Sequence, residues 1–101
     1  MVYAEIMTPY EAMHETKDTF RERRLALNLS QKSVSERSGV SLAVLKKFER
    51  TGKISFESFL KLAFVLGCMK DLIERIKQIP ERLPETLDDL LKQKKRKRGR
   101  M

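Results

Sequence analysis

Very little in this chain of 101 residues invites covalent or metal chemistry. It holds one cysteine, Cys68, and one histidine, His14. A single thiol excludes an internal disulfide framework and suits a reducing compartment. One Cys with one His also excludes a zinc finger. Glycine (4), proline (3) and aromatic residues (7%) are scarce, which argues against an all-β fold. No apolar run approaches the roughly 18 residues of a membrane span, and no secretory segment follows Met1. There is no nucleophile elbow, phosphate loop or metal-ligand spacing, so neither catalysis, a metal nor a cofactor is expected. The length excludes two full domains and most large α/β enzymes. What remains is rich in Leu, Lys, Glu and Arg, the composition of one small helical domain.

The charge is uneven. The chain carries 22 Lys and Arg against 14 Asp and Glu, a formal net charge of +8. Residues 92–101 hold seven of those cations (Lys92, Lys94, Lys95, Arg96, Lys97, Arg98 and Arg100) and no acid, so residues 1–91 are nearly neutral. Such a block repels itself and buries nothing, which predicts a disordered tail. Lys94, Lys95, Arg96, Lys97, Arg98 and Arg100 suit contact with phosphate or with an acidic protein surface. A solubilising tail or a nuclear-import signal would look the same.

Periodicity and caps predict five helices. Thr8-Pro9-Tyr10-Glu11 reads as a capping box with proline at the first helical position. Tyr10, Met13, Lys17, Phe20, Arg24 and Leu27 then recur at spacings of three and four. The pattern fits one long helix, or a short leader followed by a helix over about residues 16–28, with Asn28 as a left-handed cap. Ser30 starts a second helix over 31–37, ended by Gly39 in a tight turn. Ser41 caps a third, 42–50, with Val44, Leu45 and Phe48 expected inward. Ser55 caps a fourth, 56–66, striped by Phe59, Leu62, Ala63 and Leu66. A fifth spans about 69–79, with Leu72, Ile73, Ile76 and Ile79 on one side, a face suited equally to helix 4 and to a second copy of the chain. Pro80 and Pro84 mark a linker before a short amphipathic piece carrying Leu87, Leu90 and Leu91. The expected organisation is a partly helical extension (1–15), a helix-turn-helix domain (16–79), a linker with the amphipathic segment (80–91) and the basic tail (92–101).

Residues 29–49 form the informative stretch: two short helices joined by a glycine turn, the second with an apolar inner face and a basic outer one. A helix of that kind fits the major groove, about 12 Å wide. Leu29-Ser30-Gln31, the small Ser35, Gly39-Val40-Ser41, Leu45 and Phe48-Glu49 together resemble the phage-repressor, or Xre-type, helix-turn-helix family over roughly residues 20–66. The resemblance implies an all-α, five-helix, phage-repressor-like domain that binds double-stranded operator DNA. Gln31, with Lys32 beside it, then falls where the start of the first motif helix meets a phosphate. Ser41, Leu42, Ala43 and Lys47 fall in the groove-facing set, and Arg50 and Lys53 act as backbone clamps. Arg24 and Glu49 match an internal ion pair with a structural role. The sequence departs from the family at Ser35, where Ala is usual, and its hydroxyl is expected to seek a carbonyl in the preceding turn. Val44 stands where Thr or Ser is common. Leu42 and Ala43 replace amide or cationic base readers; they can touch only a thymine methyl, which leaves base-edge or phosphate contact to Lys47 and Lys46.

A narrower resemblance lies further on. Phe48-Glu49-Arg50-Thr51-Gly52, the run from Ile54 to Ala63, and Thr86-Leu87-Asp88-Asp89-Leu90-Leu91 before the basic tail are similar to the HipB-like antitoxin branch. It implies a cytoplasmic, nucleoid-associated bacterial repressor. Such a protein is a homodimer that binds its operator and a HipA-like serine/threonine kinase toxin. Two other readings are a stand-alone phage-type regulator, and a helix-turn-helix adaptor that mainly binds protein. His14 reads as a helical surface residue, and Cys68 as a buried or half-buried structural thiol.

Overall fold

Thr8 starts the first helix as its side chain predicts. Its hydroxyl accepts a hydrogen bond from the Glu11 amide at 3.1 Å, and the Glu11 carboxylate accepts one from the Thr8 amide at 2.9 Å. The computed structural model describes residues 7–79. Among them lie five helices and no strand: α1 (Pro9–Ala26), α2 (Gln31–Ser38), α3 (Leu42–Thr51), α4 (Phe56–Val65) and α5 (Met69–Lys77). The linker, the Leu87–Leu90–Leu91 segment and the basic tail lie outside the described residues.

Of the two arrangements the N-terminal stripe allowed, the continuous helix is observed. Asn28 takes φ +58°. Around it the Asn28 amide donates to the Leu25 carbonyl at 3.0 Å and the Leu29 amide to the Arg24 carbonyl at 3.1 Å. This is the paired closure that ends a helix through one left-handed residue, a conformation Asn tolerates. The ends of the stripe do not reach the core: Tyr10 and Leu27 are exposed, while Phe20 and Arg24 are buried. Ser30, Ser41 and Ser55 each cap the helix they precede, accepting from the amides of Ser33, Val44 and Ser58. Each cap of this kind is worth about 1 kcal/mol.

The core is built from Phe20, Val34, Val40, Leu45, Phe48, Leu62, Ala63 and Leu66. Phe20 stacks on the half-buried Phe59 at 4.8 Å between ring centroids and meets Phe48 edge-on at 5.8 Å. These rings join α1, α3 and α4, and each such aromatic pair contributes about 0.5–1.5 kcal/mol beyond its burial. Helix α1 packs on α3, α2 on both α3 and α4, and α5 on α4. The α1–α3 approach requires glycine at position 52. Its φ is +81°, and a Cβ there would lie 2.8 Å from the Met13 carbonyl oxygen.

One expectation about burial needs correction. Val44 does not face inward but is 39% exposed, because no other element among the described residues covers its edge of α3. The α5 face is divided: Leu72 and Ile73 are half-buried, whereas Ile76 and Ile79 remain exposed.

Candidate nucleic-acid interface

The turn between α2 and α3 is held by side chains. Gly39 takes φ +80°, a left-handed conformation that reverses the chain. Val40, next to it, is 3% exposed and anchors the turn in the core. Ser35 donates through its hydroxyl to the Val40 carbonyl at 2.6 Å, and the Ser38 hydroxyl accepts from the Val40 amide at 3.0 Å. The sequence expectation for Ser35 was a partner in the preceding turn of its own helix. Its hydroxyl instead crosses the turn, because Val40 brings an otherwise unused carbonyl within reach.

A buried ion pair sets the far end of α3. Arg24 Nε donates to Glu49 Oε2 at 2.7 Å and Nη2 to Oε1 at 3.0 Å, the two-pronged geometry that makes such pairs strong. Both side chains are less than a tenth exposed. Arg24 Nη1 also donates to the Leu29 carbonyl at 2.9 Å, and Gln31 Nε2 donates to Glu49 Oε1 at 2.9 Å. One carboxylate thus joins α1, the start of α2 and the end of α3. Gln31, expected to meet a phosphate, has one amide hydrogen committed to Glu49; its second hydrogen and its carbonyl stay available.

Outward from this frame, α3 presents a cationic face. At 100° per residue, Ala43, Lys47 and Arg50 form the stripe opposite the buried Leu45 and Phe48. Lys46 and Val44 flank it, all five are exposed, and Leu42 is half-buried. Ser41 is exposed at the cap. Beyond the helix, the Thr51 hydroxyl donates to the Lys47 carbonyl at 2.8 Å and accepts from the Lys53 amide at 3.1 Å, which fixes the backbone of Lys53 against the end of α3. Lys32 is exposed in the first turn of α2. The ion pairs among the described residues are Lys17–Asp18, Arg24–Glu49 and Lys61–Glu57, so Lys32, Lys46, Lys47, Arg50 and Lys53 pair with no acid among them. The amides of Gln31 and Lys32, and of Leu42 and Ala43, begin helices and have no intrahelical acceptor, which adds positive potential. The expected tail contacts, Lys94, Lys95, Arg96, Lys97, Arg98 and Arg100, lie outside the described residues.

Thr51 and Val44 adjoin this surface, although the sequence gives the first no site role and places the second inward. Arg23 was likewise unassigned. Its guanidinium donates to the carbonyls of Leu66 and Gly67 at the end of α4. Cys68 is half-buried against the core, and burial pushes its thiol above the ordinary cysteine range. His14 lies half-buried against Tyr10, with ring centroids 4.3 Å apart. Among the described residues no cluster of His, Cys, Asp and Glu is arranged to hold a metal, and no helix is long and apolar enough to cross a membrane.

Two capped helices, a braced turn and a cationic second helix together define a helix-turn-helix unit. The family model described as Helix-turn-helix, HTH_3, matches residues 20–69, and the chain carries an Xre-type domain of that family. That domain marks a DNA-binding transcriptional regulator. No curated protein and no solved structure matches the chain.

Proposed function

We propose that the protein is an operator-binding repressor that acts as a homodimer and as the antitoxin of a HipBA-type pair. The observation that carries the DNA-binding part is the exposed Ala43–Lys47–Arg50 stripe of α3, flanked by Lys46 and continued by Lys53, with no acid among the described residues paired to it. Inserted in the major groove, α3 carries its first turn to the base edges. Lys47 and Arg50 follow along the helix at about 1.5 Å per residue, toward adjoining base steps or phosphates. Lys32 and the free amides of α2 hold the flanking phosphate. One such domain covers too little duplex for tight specific binding, and two-fold pairing on a palindromic site is the usual remedy. The exposed Ile76 and Ile79 of α5 supply an apolar surface for that pairing. The seven cations of residues 92–101 add affinity that falls steeply with salt.

The antitoxin part rests on the HipB-like runs around residues 48–63 and 86–91 and on a surface suited to protein. A groove of about 450 Å3 between α2 and α4 is floored by Leu60, Val65 and Met69. It is edged by Phe64, 69% exposed, and by Arg37 and Lys61.

The test is isolation of the tagged full-length chain from its host, with bound DNA and bound protein both identified. Co-isolation of its own promoter and a kinase-like partner is the expected result. Promoter DNA without a protein partner leaves a stand-alone regulator. A protein partner without specific DNA leaves the adaptor reading and removes the operator-binding role.

A further inference from the structure

The recognition surface has an unusual front end. Helix-turn-helix proteins reach base edges chiefly with residues at the start of the second helix. Here that turn is Leu42, Ala43, Val44 and Leu45, and none of these side chains can donate or accept a hydrogen bond. Leu45 is buried, Leu42 is half-buried, Ala43 is exposed and Val44 is 39% exposed. The polar group beside them is Ser41, whose oxygen already accepts from the Val44 amide at 3.1 Å, leaving one O–H to donate. The cations begin later. Lys47 sits four residues beyond Ala43, about 6 Å along the axis, so it serves a neighbouring base step or a phosphate rather than the same one.

We infer that Ala43 and Val44 select thymine through its C5-methyl group. This rests on the DNA-binding reading above and specifies what that site recognises. In the major groove thymine alone among the four standard bases presents a methyl group; the others present donors and acceptors only. An apolar helix start against those polar edges would strip their water and return nothing. Against a methyl it buries two apolar surfaces together. The small Ala43 permits close approach of the backbone, and the branched Val44 beside it supplies the contact area. Specificity at the first turn then resides in methyl contacts, while Lys46 and Lys53 supply affinity that does not depend on sequence.

The experiment uses the full chain. Preferred duplexes are selected from a random-sequence pool at physiological salt, and each thymine of the selected site is then replaced by deoxyuridine, which lacks only the methyl. At one or two thymines per half-site, affinity should fall about fourfold, the value of one buried methyl group. In Val44→Ala or Ala43→Ser, each checked by thermal melting, the uracil penalty should disappear at the contacted thymine and persist elsewhere. A selected site whose uracil form binds as tightly as its thymine form overturns the inference and leaves DNA binding intact. A pool that yields no preferred sequence overturns both.

Discussion

Arg24 and Glu49 meet as two parallel forks, at 2.7 and 3.0 Å, with both side chains less than a tenth exposed. They lie 25 residues apart in sequence, and the carboxylate also receives Gln31 from the start of α2. The pair is therefore the clasp that fixes where α3 points relative to α1 and α2.

Glu49→Ala should cost about 3–5 kcal/mol, because it leaves a guanidinium buried without a counter-charge. For a domain of ordinary stability, about 5–15 kcal/mol, that is a large share of the total. Replacing both partners by apolar residues, Arg24→Met with Glu49→Leu, should recover much of the loss, though Gln31 and the Leu29 carbonyl still lose a partner. Urea melts of the two variants decide it; a loss below about 1 kcal/mol for Glu49→Ala would mean that the pair does not hold the fold.

Gly39 and Gly52 share the same left-handed conformation but differ in their surroundings. A Cβ at position 39 meets nothing within 4 Å, whereas one at position 52 would press on the backbone of Met13. Gly39→Ala should cost the conformational penalty alone, about 1–2 kcal/mol. Gly52→Ala should cost clearly more, since α1 must also move away from α3. Equal midpoints in thermal melts would contradict the close α1–α3 approach.

Cys68 titrates on the side that burial dictates. Its thiol is pushed up, so the fold favours the neutral form. The stabilisation is present below the unfolded-chain value of about 8.5 and is lost as pH rises through the folded value. Stability should therefore decline above about pH 8.5 relative to Cys68→Ala. Alkylation at pH 7 should be slower in the folded chain than in urea. A folded-state rate at or above the unfolded one would show a reactive thiol instead.

The cations around α3 should be separable by salt dependence. Lys46→Ala and Lys53→Ala should each weaken binding to all duplexes alike and lower the slope of log affinity against log salt by about one. Unchanged slopes in both would remove these lysines from the interface.

Caps and periodicity made most of this architecture legible. Thr8, Ser30, Ser41 and Ser55 cap as local chemistry requires, and Asn28 takes the left-handed turn. The exposed face of α3 follows from a 3.6-residue period with Leu45 and Phe48 inward. What escaped depends on where distant segments meet. Arg23 closes on the end of α4, 43 residues away. Gln31 turns to Glu49, and Ser35 finds Val40 across the turn rather than its own helix. Val44 reads as internal because it sits 40° from Phe48 around the helix, but no element among the described residues covers it, which leaves it in solvent.

The central claim is that the exposed face of α3, with the start of α2, is where DNA sits. An NMR titration of the labelled full chain with a duplex from its own promoter tests it most directly. Amide shifts concentrated at residues 31–33 and 41–53, weakening together as salt rises, are the predicted result. Shifts confined to α5 or to the groove beside Phe64, with α3 unmoved, would contradict it.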